Sequence, residues 1–230
     1  MGMNTDAVQR LYVAYFNRPA DPVSLQVYEG MLPTDRAATQ AELLVVADTY
    51  FSPSAEYTSN FEGKSDAQVV DQLYQNIFGR TADAAGLVDW AAQLTAGTIT
   101  VGALALQLSY SAQGTDATVV AARIEAAGTF TTGLNTTEEI TGYSGDAAAA
   151  QGRAYLAQIS GTLPTTDEAI ATQKDAAIAG VDASIDAAVN AGNSSGGTTF
   201  TLTASAAGDD FAGGTSADTF VSSNTARYQD

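Results

Sequence analysis

The chain repeats itself. Leu11-Tyr12-x-x-Tyr15-Phe16-x-Arg18-x-Ala20-Asp21-x-x-x-Leu25-x-x-Tyr28 aligns without a gap on Leu73-Tyr74-x-x-Ile77-Phe78-x-Arg80-x-Ala82-Asp83-x-x-x-Leu87-x-x-Trp90, at a constant offset of 62. Seven positions are identical, and two more exchange one large apolar or aromatic residue for another. Ordered matches at a fixed offset mark a duplication. Both copies must then adopt one local fold and bury equivalent apolar faces.

Each copy reads helix, turn, helix, and then a third helix. Ser65-Asp66-Ala67-Gln68 is a capping box, followed by Val69, Val70, Leu73, Ile77 and Phe78 at helical spacing. Gly79 is the expected stop. Asp83 stands where an N-cap would open the next helix, whose apolar face is Leu87, Trp90 and Leu94 and whose end is Gly97. Thr39 with Glu42 and, in the second copy, Thr100 cap the third helices. Behind the copies, residues 116–192 are Ala-rich and helical. They predict helices over 116–127 and 146–159. A capping box at Thr165-Thr166-Asp167-Glu168 then predicts one long helix carrying Ile170, Ala177, Ile178, Val181, Ile185 and Val189. Small residues there predict close helix packing.

At residues 192–197 the composition turns to Gly, Ser and Asn, which reads as a flexible linker. The period then changes. Residues 199–203 alternate Phe200 and Leu202 as a strand does. Residues 213–221 follow a Gly/Asp nonapeptide pattern, with Ser216 in place of one Gly; the nine residues before them keep only Asp209 and Phe211 in phase. Such repeats wind into a parallel β-roll whose Asp residues bind Ca²⁺. The predicted fold is therefore mainly α. A multi-helix domain over 1–195 is built on two helix-turn-helix repeats (about 5–60 and 65–115). A linker and the start of a Ca²⁺-binding β-roll follow over 196–230. About two nonapeptides are too few to bury a roll, which suggests the front piece of a longer protein.

Composition narrows the chemistry. The net charge is −17 and the chain has no His and no Cys. Strong acidity argues against nucleic acid, which is held by Lys and Arg on phosphates, and against a bare anionic membrane. Without His or Cys there is no Ser-His-Asp triad, thiol nucleophile or Zn²⁺-thiolate site within these residues. Acidic pairs such as Glu138-Glu139 and Asp167-Glu168 fall in first helical turns, where the dipole favours them. No enzymatic constellation emerges. The N-terminus has no secretory signal pattern, and no apolar run nears the ~18 residues of a membrane span. The chain is either cytosolic or exported by a signal further along.

The best metal candidates are Asp209, Asp210 and Asp218, since Ca²⁺ takes roughly six to eight oxygen ligands. Without a neighbouring coil they are expected to hold no ordered ion in this chain alone. The recurring pairs Arg18/Asp21 and Arg80/Asp83 read either as a duplicated ligand site or as turn-fixing residues. The second is favoured, because Asp caps a helix and Arg satisfies turn carbonyls. Tyr12, Tyr15, Tyr28, Tyr74 and Trp90 stand at core spacing. Tyr50, Tyr57 and Tyr110 lie near helix ends. Tyr143, Arg153 and Tyr155, with Asp146, are the candidates for a polysaccharide patch.

The phrase at residues 73–90 resembles a widespread bacterial helical domain of unknown function. It is similar to domains at the front of secreted RTX-type proteins and S-layer proteins, where helices precede a Ca²⁺-binding roll. The first copy departs from it at Asn17 and Ser24. The whole arrangement resembles the N-terminal anchoring domain of RTX-type S-layer proteins of Gram-negative bacteria. That resemblance implies a non-catalytic module on the cell surface. It would bind the O-antigen polysaccharide of lipopolysaccharide, self-associate in a lattice with Ca²⁺, and be exported by type I secretion. The alternatives are an adhesin or protein-interaction module of an RTX exoprotein, and an accessory domain of an RTX hydrolase.

Overall fold

A computed structural model of the chain describes residues 2–162 and 165–194, together with the backbone of two strands at 199–202 and 219–222. The first copy holds α1 (Thr5–Phe16), α2 (Pro22–Glu29) and α3 (Gln40–Val46), which continues into a π-helical turn over Ala47–Phe51. A short α4 (Ala55–Phe61), capped by Ser54, leads to the second copy: α5 (Asp66–Phe78), α6 (Ala84–Thr95) and α7 (Val101–Ser111). At the offset of 62, α1 falls on α5 and α2 on α6. Then follow α8 (Thr115–Gly133), α9 (Thr137–Gly142), α10 (Gly145–Leu156), α11 (Asp167–Ala179) and α12 (Val181–Ser194). The described residues are thus mainly helical, as the periodicity predicts. No helix among them is long and apolar enough to cross a membrane.

The helix starts are written in side chains. Ser65 accepts from the Gln68 N–H while Gln68 Oε1 accepts from the Ser65 N–H at 2.9 Å. Thr39 and Glu42 make the same reciprocal pair. Asp21 and Asp83 cap α2 and α6 in equivalent fashion. Gly79 and Asn17 end α5 and α1 with φ of 62° and 53°. That left-handed conformation suits Gly, and Asn is among the few others that adopt it readily.

Three expectations are corrected. The long helix over residues 167–189 is broken at Gly180, whose N–H closes α11 onto Ala176 and Ala177 carbonyls. Its halves have different main partners: α11 packs chiefly on α8, and α12 chiefly on α10 and α9, touching α8 as well. The start of α11 also lies one residue later than expected. Thr166 is the N-cap and accepts from the Ala169 N–H, so Glu168 closes no capping box. Within α8 the helix runs on past residue 127 to Gly133.

Copy packs against copy, α1 on α5 and α3 on α7. Asn76 Nδ2 donates to the Ala14 carbonyl at 2.8 Å. Positions 14 and 76 are equivalent under the offset, and equivalent positions meet only beside an approximate twofold axis. Around it lie Leu11, Tyr15, Leu43, Phe51, Leu73, Ile77 and Leu104, all buried. Each such side chain contributes about 1.5–3 kcal/mol by leaving water. A second cluster unites Phe130, Tyr155, Leu156, Ile159, Ile170, Ala177 and Ala188 from α8 to α12. Both clusters draw on α1 and α8, so these two helices join the halves.

The strands β1 (Thr199–Leu202) and β2 (Thr219–Ser222) run parallel, with Thr199 opposite Thr219. The stretch between them, which holds Asp209, Asp210 and Asp218, lies outside the described residues.

Close packing predicts intolerance at one glycine. A Cβ at Gly192 in α12 would overlap the Gly142 carbonyl and sit 2.9 Å from that of Ser144. Gly192→Ala is expected to cost about 1–3 kcal/mol, read as a lowered urea midpoint with unchanged slope. A pH signature follows from the first copy's capping box. Arg36, and then the Thr39 backbone and hydroxyl, hold the Glu42 carboxyl down to about 2 against an ordinary 4.5. Because this pKa is depressed on folding, the contribution is complete above about 4.5 and is lost as the pH falls towards 2. NMR titration of the Glu42 carboxyl should show the low midpoint, and Arg36→Ala should raise it.

Candidate functional site

The duplicated Arg-x-Ala-Asp turns are built alike, bond for bond. Arg18 donates through Nε and Nη2 to the two carboxylate oxygens of Glu56, at 2.8 and 2.7 Å, and through Nη1 to the Pro19 carbonyl at 3.1 Å. Arg80 donates in the same way to Asp116, at 3.0 and 2.7 Å, and to the Thr81 carbonyl at 3.0 Å. Each guanidinium lies over two rings of the preceding helix. For Arg18 these are Tyr12 and Phe16 at 5.1 and 5.6 Å; for Arg80 they are Tyr74 and Phe78 at 5.3 and 5.6 Å. Even the turn amides match. Gln9 Oε1 accepts from the Ala20 N–H and Asp71 Oδ1 from the Ala82 N–H, at 3.1 and 2.9 Å. Planar, bidentate pairing of this kind needs Arg, and Lys would not reproduce it.

Electrostatics follows burial. Desolvation pulls the Arg18 guanidinium down, but the Glu56 carboxylate outweighs it and the pKa rises. Hydrogen bonding to Asp116 raises Arg80. The Gly86 N–H holds Asp83 below the usual carboxylate range. The turns are therefore set by their own charges.

Each turn opens on a cleft. The first, of about 620 Å³, is lined by Arg18, Asp21, Glu56, Tyr143, Asp146 and Asn193 among others. The second, of about 650 Å³, is lined by Asn17, Gln75, Arg80, Thr81, Asp83 and Arg123 among others. Both have the size of small-molecule sites. Their walls are rich in carboxylates, amides and hydroxyls, the groups that pair with a polyol. The first is acidic. The second has a buried arginine in its wall.

Of the residues singled out from sequence, Tyr143 and Asp146 line the first cleft, and Arg153 touches Glu56 in its wall. Tyr143 gives its hydroxyl to the Pro19 carbonyl at 3.0 Å, and its ring lies 5.9 Å from the Arg18 guanidinium carbon. Burial pushes its phenol up to about 12. Arg153 Nη1 reaches Glu56 at 3.4 Å. Tyr155 is placed elsewhere. It is 1% exposed, packs on Phe130, and donates to the Ala126 carbonyl at 3.2 Å. The three do not share one exposed face. Tyr12, Tyr15 and Tyr74 are core, with Tyr28 and Trp90 packed at its edge, while Tyr50 and Tyr110 are exposed. Among the described residues no three carboxylates are placed to hold a metal ion. Asp209, Asp210 and Asp218 lie outside them.

Residues 47–115 match the model of a family described as "Domain of unknown function (DUF4214)". The match runs from the π-helical turn through α4 to the end of α7, so it takes in the whole second copy. No curated protein and no solved structure matches the chain.

Glu56 and Arg123, which line the clefts, and Asp116, which pairs with Arg80, were not singled out as site residues from the sequence. The carboxylates escape a constant-offset alignment because the offset between them is 60. Arg123 leaves a fainter mark, an arginine among Val119, Val120, Ala126 and Ala127 on the buried side of α8. Removing one partner from a buried pair leaves an uncompensated charge. Glu56→Gln and Asp116→Asn should each destabilise by on the order of 1–3 kcal/mol, discounted for partial exposure. Their effects should add in the double variant, since the two turns share no partner. Urea unfolding of the three variants checks both points.

Proposed function

We propose that the chain is a non-catalytic anchoring module of a secreted, Ca²⁺-dependent bacterial surface protein. It binds the O-antigen polysaccharide of lipopolysaccharide and holds a self-associating coat on the outer membrane. The observation that carries the reading is the pair of clefts on duplicated turns. Repeated polar clefts suit a repeating polymer. Sugars are held by planar polar groups such as the Arg, Asp, Asn and Gln side chains found there. A single shallow cleft binds weakly, but two on one chain and many in a lattice give avidity.

The tail supports the second half of the reading. Its Gly/Asp nonapeptide places Asp209, Asp210 and Asp218 in a pattern whose oxygen ligands take Ca²⁺ once neighbouring coils are present. The helical part would then hold the sugar while the roll extends into the lattice. Secretion by a type I route and a place in a Gram-negative S-layer belong to the same proposal.

A protein-interaction module is the second reading, favoured by one observation. Met31, Val45 and Tyr50 are exposed at 45%, 65% and 44% and border a shallow groove on α3 and its π-helical turn. An adhesin in an RTX exoprotein would use such a face. Purified lipopolysaccharide from smooth and rough strains separates the two. Retention by smooth lipopolysaccharide only is the expected result, and equal retention on both sinks the O-antigen reading. Chelation of Ca²⁺ should abolish lattice assembly of a longer chain carrying the roll.

A further inference from the structure

Arg123 is the outlier among the described cations. Arg18, Arg36, Arg80, Arg153 and Lys174 each pair with a carboxylate. Arg10 lies over the Tyr110 ring, and Lys64 is exposed. Arg123 is 2% exposed and has no carboxylate partner. Its Nε and Nη1 are spent on the Ile159 carbonyl, the Asn17 side chain, and the Asn76 and Gln75 carbonyls. Nη2 has no acceptor among the described residues, and it is not a sealed, unpaired atom either. It borders Gly79, where an added Cβ would sit 2.8 Å away. That crowding leaves no room for a side chain at position 79, and Arg123 lines the second cleft.

The charges of that cleft are separated rather than paired. Arg80 is neutralised by Asp116, and Asp83 is exposed on the rim. What remains is a buried cation facing an open space, in a chain whose net charge is −17. Burial alone lowers the Arg123 pKa to about 10, so the guanidinium stays charged at neutral pH and carries its desolvation cost without a counter-ion. An anion on Nη2 offsets it. Asp83 and the overall negative field oppose a dianion, whereas a monoanionic carboxylate needs only the free amino group.

We propose that the second cleft is an anion subsite, in which Arg123 Nη2 donates to the carboxylate of an acidic sugar. The choice of a sugar rests on the glycan-binding reading; the anion site does not.

The full chain at low salt is titrated with galacturonate, galactose and inorganic phosphate. Calorimetry and the Arg123 Nε–Hε NMR signal are followed. Galacturonate should bind saturably and move that signal, with galactose silent. Thr81→Trp obstructs the rim from an exposed position, leaves the Arg123 bonds in place, and should weaken galacturonate by about tenfold or more. Arg123→Lys, which keeps charge but loses the fork, should weaken it similarly wherever it folds. A galacturonate titration that leaves the Arg123 signal still, or that is unchanged in Thr81→Trp, overturns the site. Galactose binding as tightly as galacturonate overturns the anion while leaving the glycan. Phosphate moving the signal with galacturonate silent overturns the sugar. Loss of smooth-lipopolysaccharide selectivity with galacturonate binding intact sinks the anchoring function alone.

Discussion

One guanidinium ties the two halves of the molecule together. Arg123 rises from α8 and reaches the end of α1 at Asn17, the last turn of α5 at Gln75 and Asn76, and the turn after α10 at Ile159. Carbonyls at helix C-termini lack intrahelical donors, and the dipole makes that region negative. A buried cation placed where three segments end supplies donors and charge together, each interaction of this kind being worth up to ~2 kcal/mol. Without it, the Asn76 and Ile159 carbonyls would lose their side-chain donor, at about 1–3 kcal/mol each. The halves share few other polar links of this depth. Gln9 to Thr131, at 2.7 Å, and Thr131 to the Ala20 carbonyl, at 2.6 Å, form the second.

The duplicated turns show how a charge becomes structural. In each, Arg lies on aromatic rings, fastens a carbonyl of its own turn, and takes both oxygens of one carboxylate. Such a pair is specific in geometry rather than generous in energy, because desolvation offsets much of the attraction. Its value lies in orientation. It fixes where the chain re-enters a helix after Asn17 or Gly79, and so where the cleft mouth stands. The copies then diverge around that shared frame. Glu56, Asp146 and Tyr143 close around the first mouth, and Arg123 stands behind the second.

Much of the front half was legible because its signals are local. A capping box, an Asp N-cap and a Gly at positive φ each act within a few residues, and the repeat states them twice. The Gly180 break was harder to see. Gly costs a helix only about 1 kcal/mol, and the apolar positions from Ile170 to Val189 run through it in phase. What breaks the helix is tertiary: α11 is held chiefly by α8, and α12 chiefly by α10 and α9. The cleft residues were less legible still. Arg18 and Arg80 stood out by recurrence, but their partners come from segments whose spacing differs between the copies, with Pro53 and the π-helical turn intervening in the first. Tyr155 looked like a neighbour of Tyr143 in sequence, and both rings pack on Phe130, but only Tyr143 also lines the cleft. The tail's Asp pattern stands beyond the described residues.

A duplicated fold carries a hazard: identical halves of different molecules can trade places. The hydrogen bond from Asn76 to the Ala14 carbonyl bears on it. The two positions are equivalent, and they carry different residues. Pairing a first copy with a first copy would set alanine against alanine and lose the bond. Pairing a second with a second would bring two amides to a site shaped for one. Asymmetric positions at the axis, Ala14 with Asn76 and Tyr15 with Ile77, therefore favour pairing of each copy with its unlike sister. Through them, a chain born from repetition discriminates self from near-self as it folds.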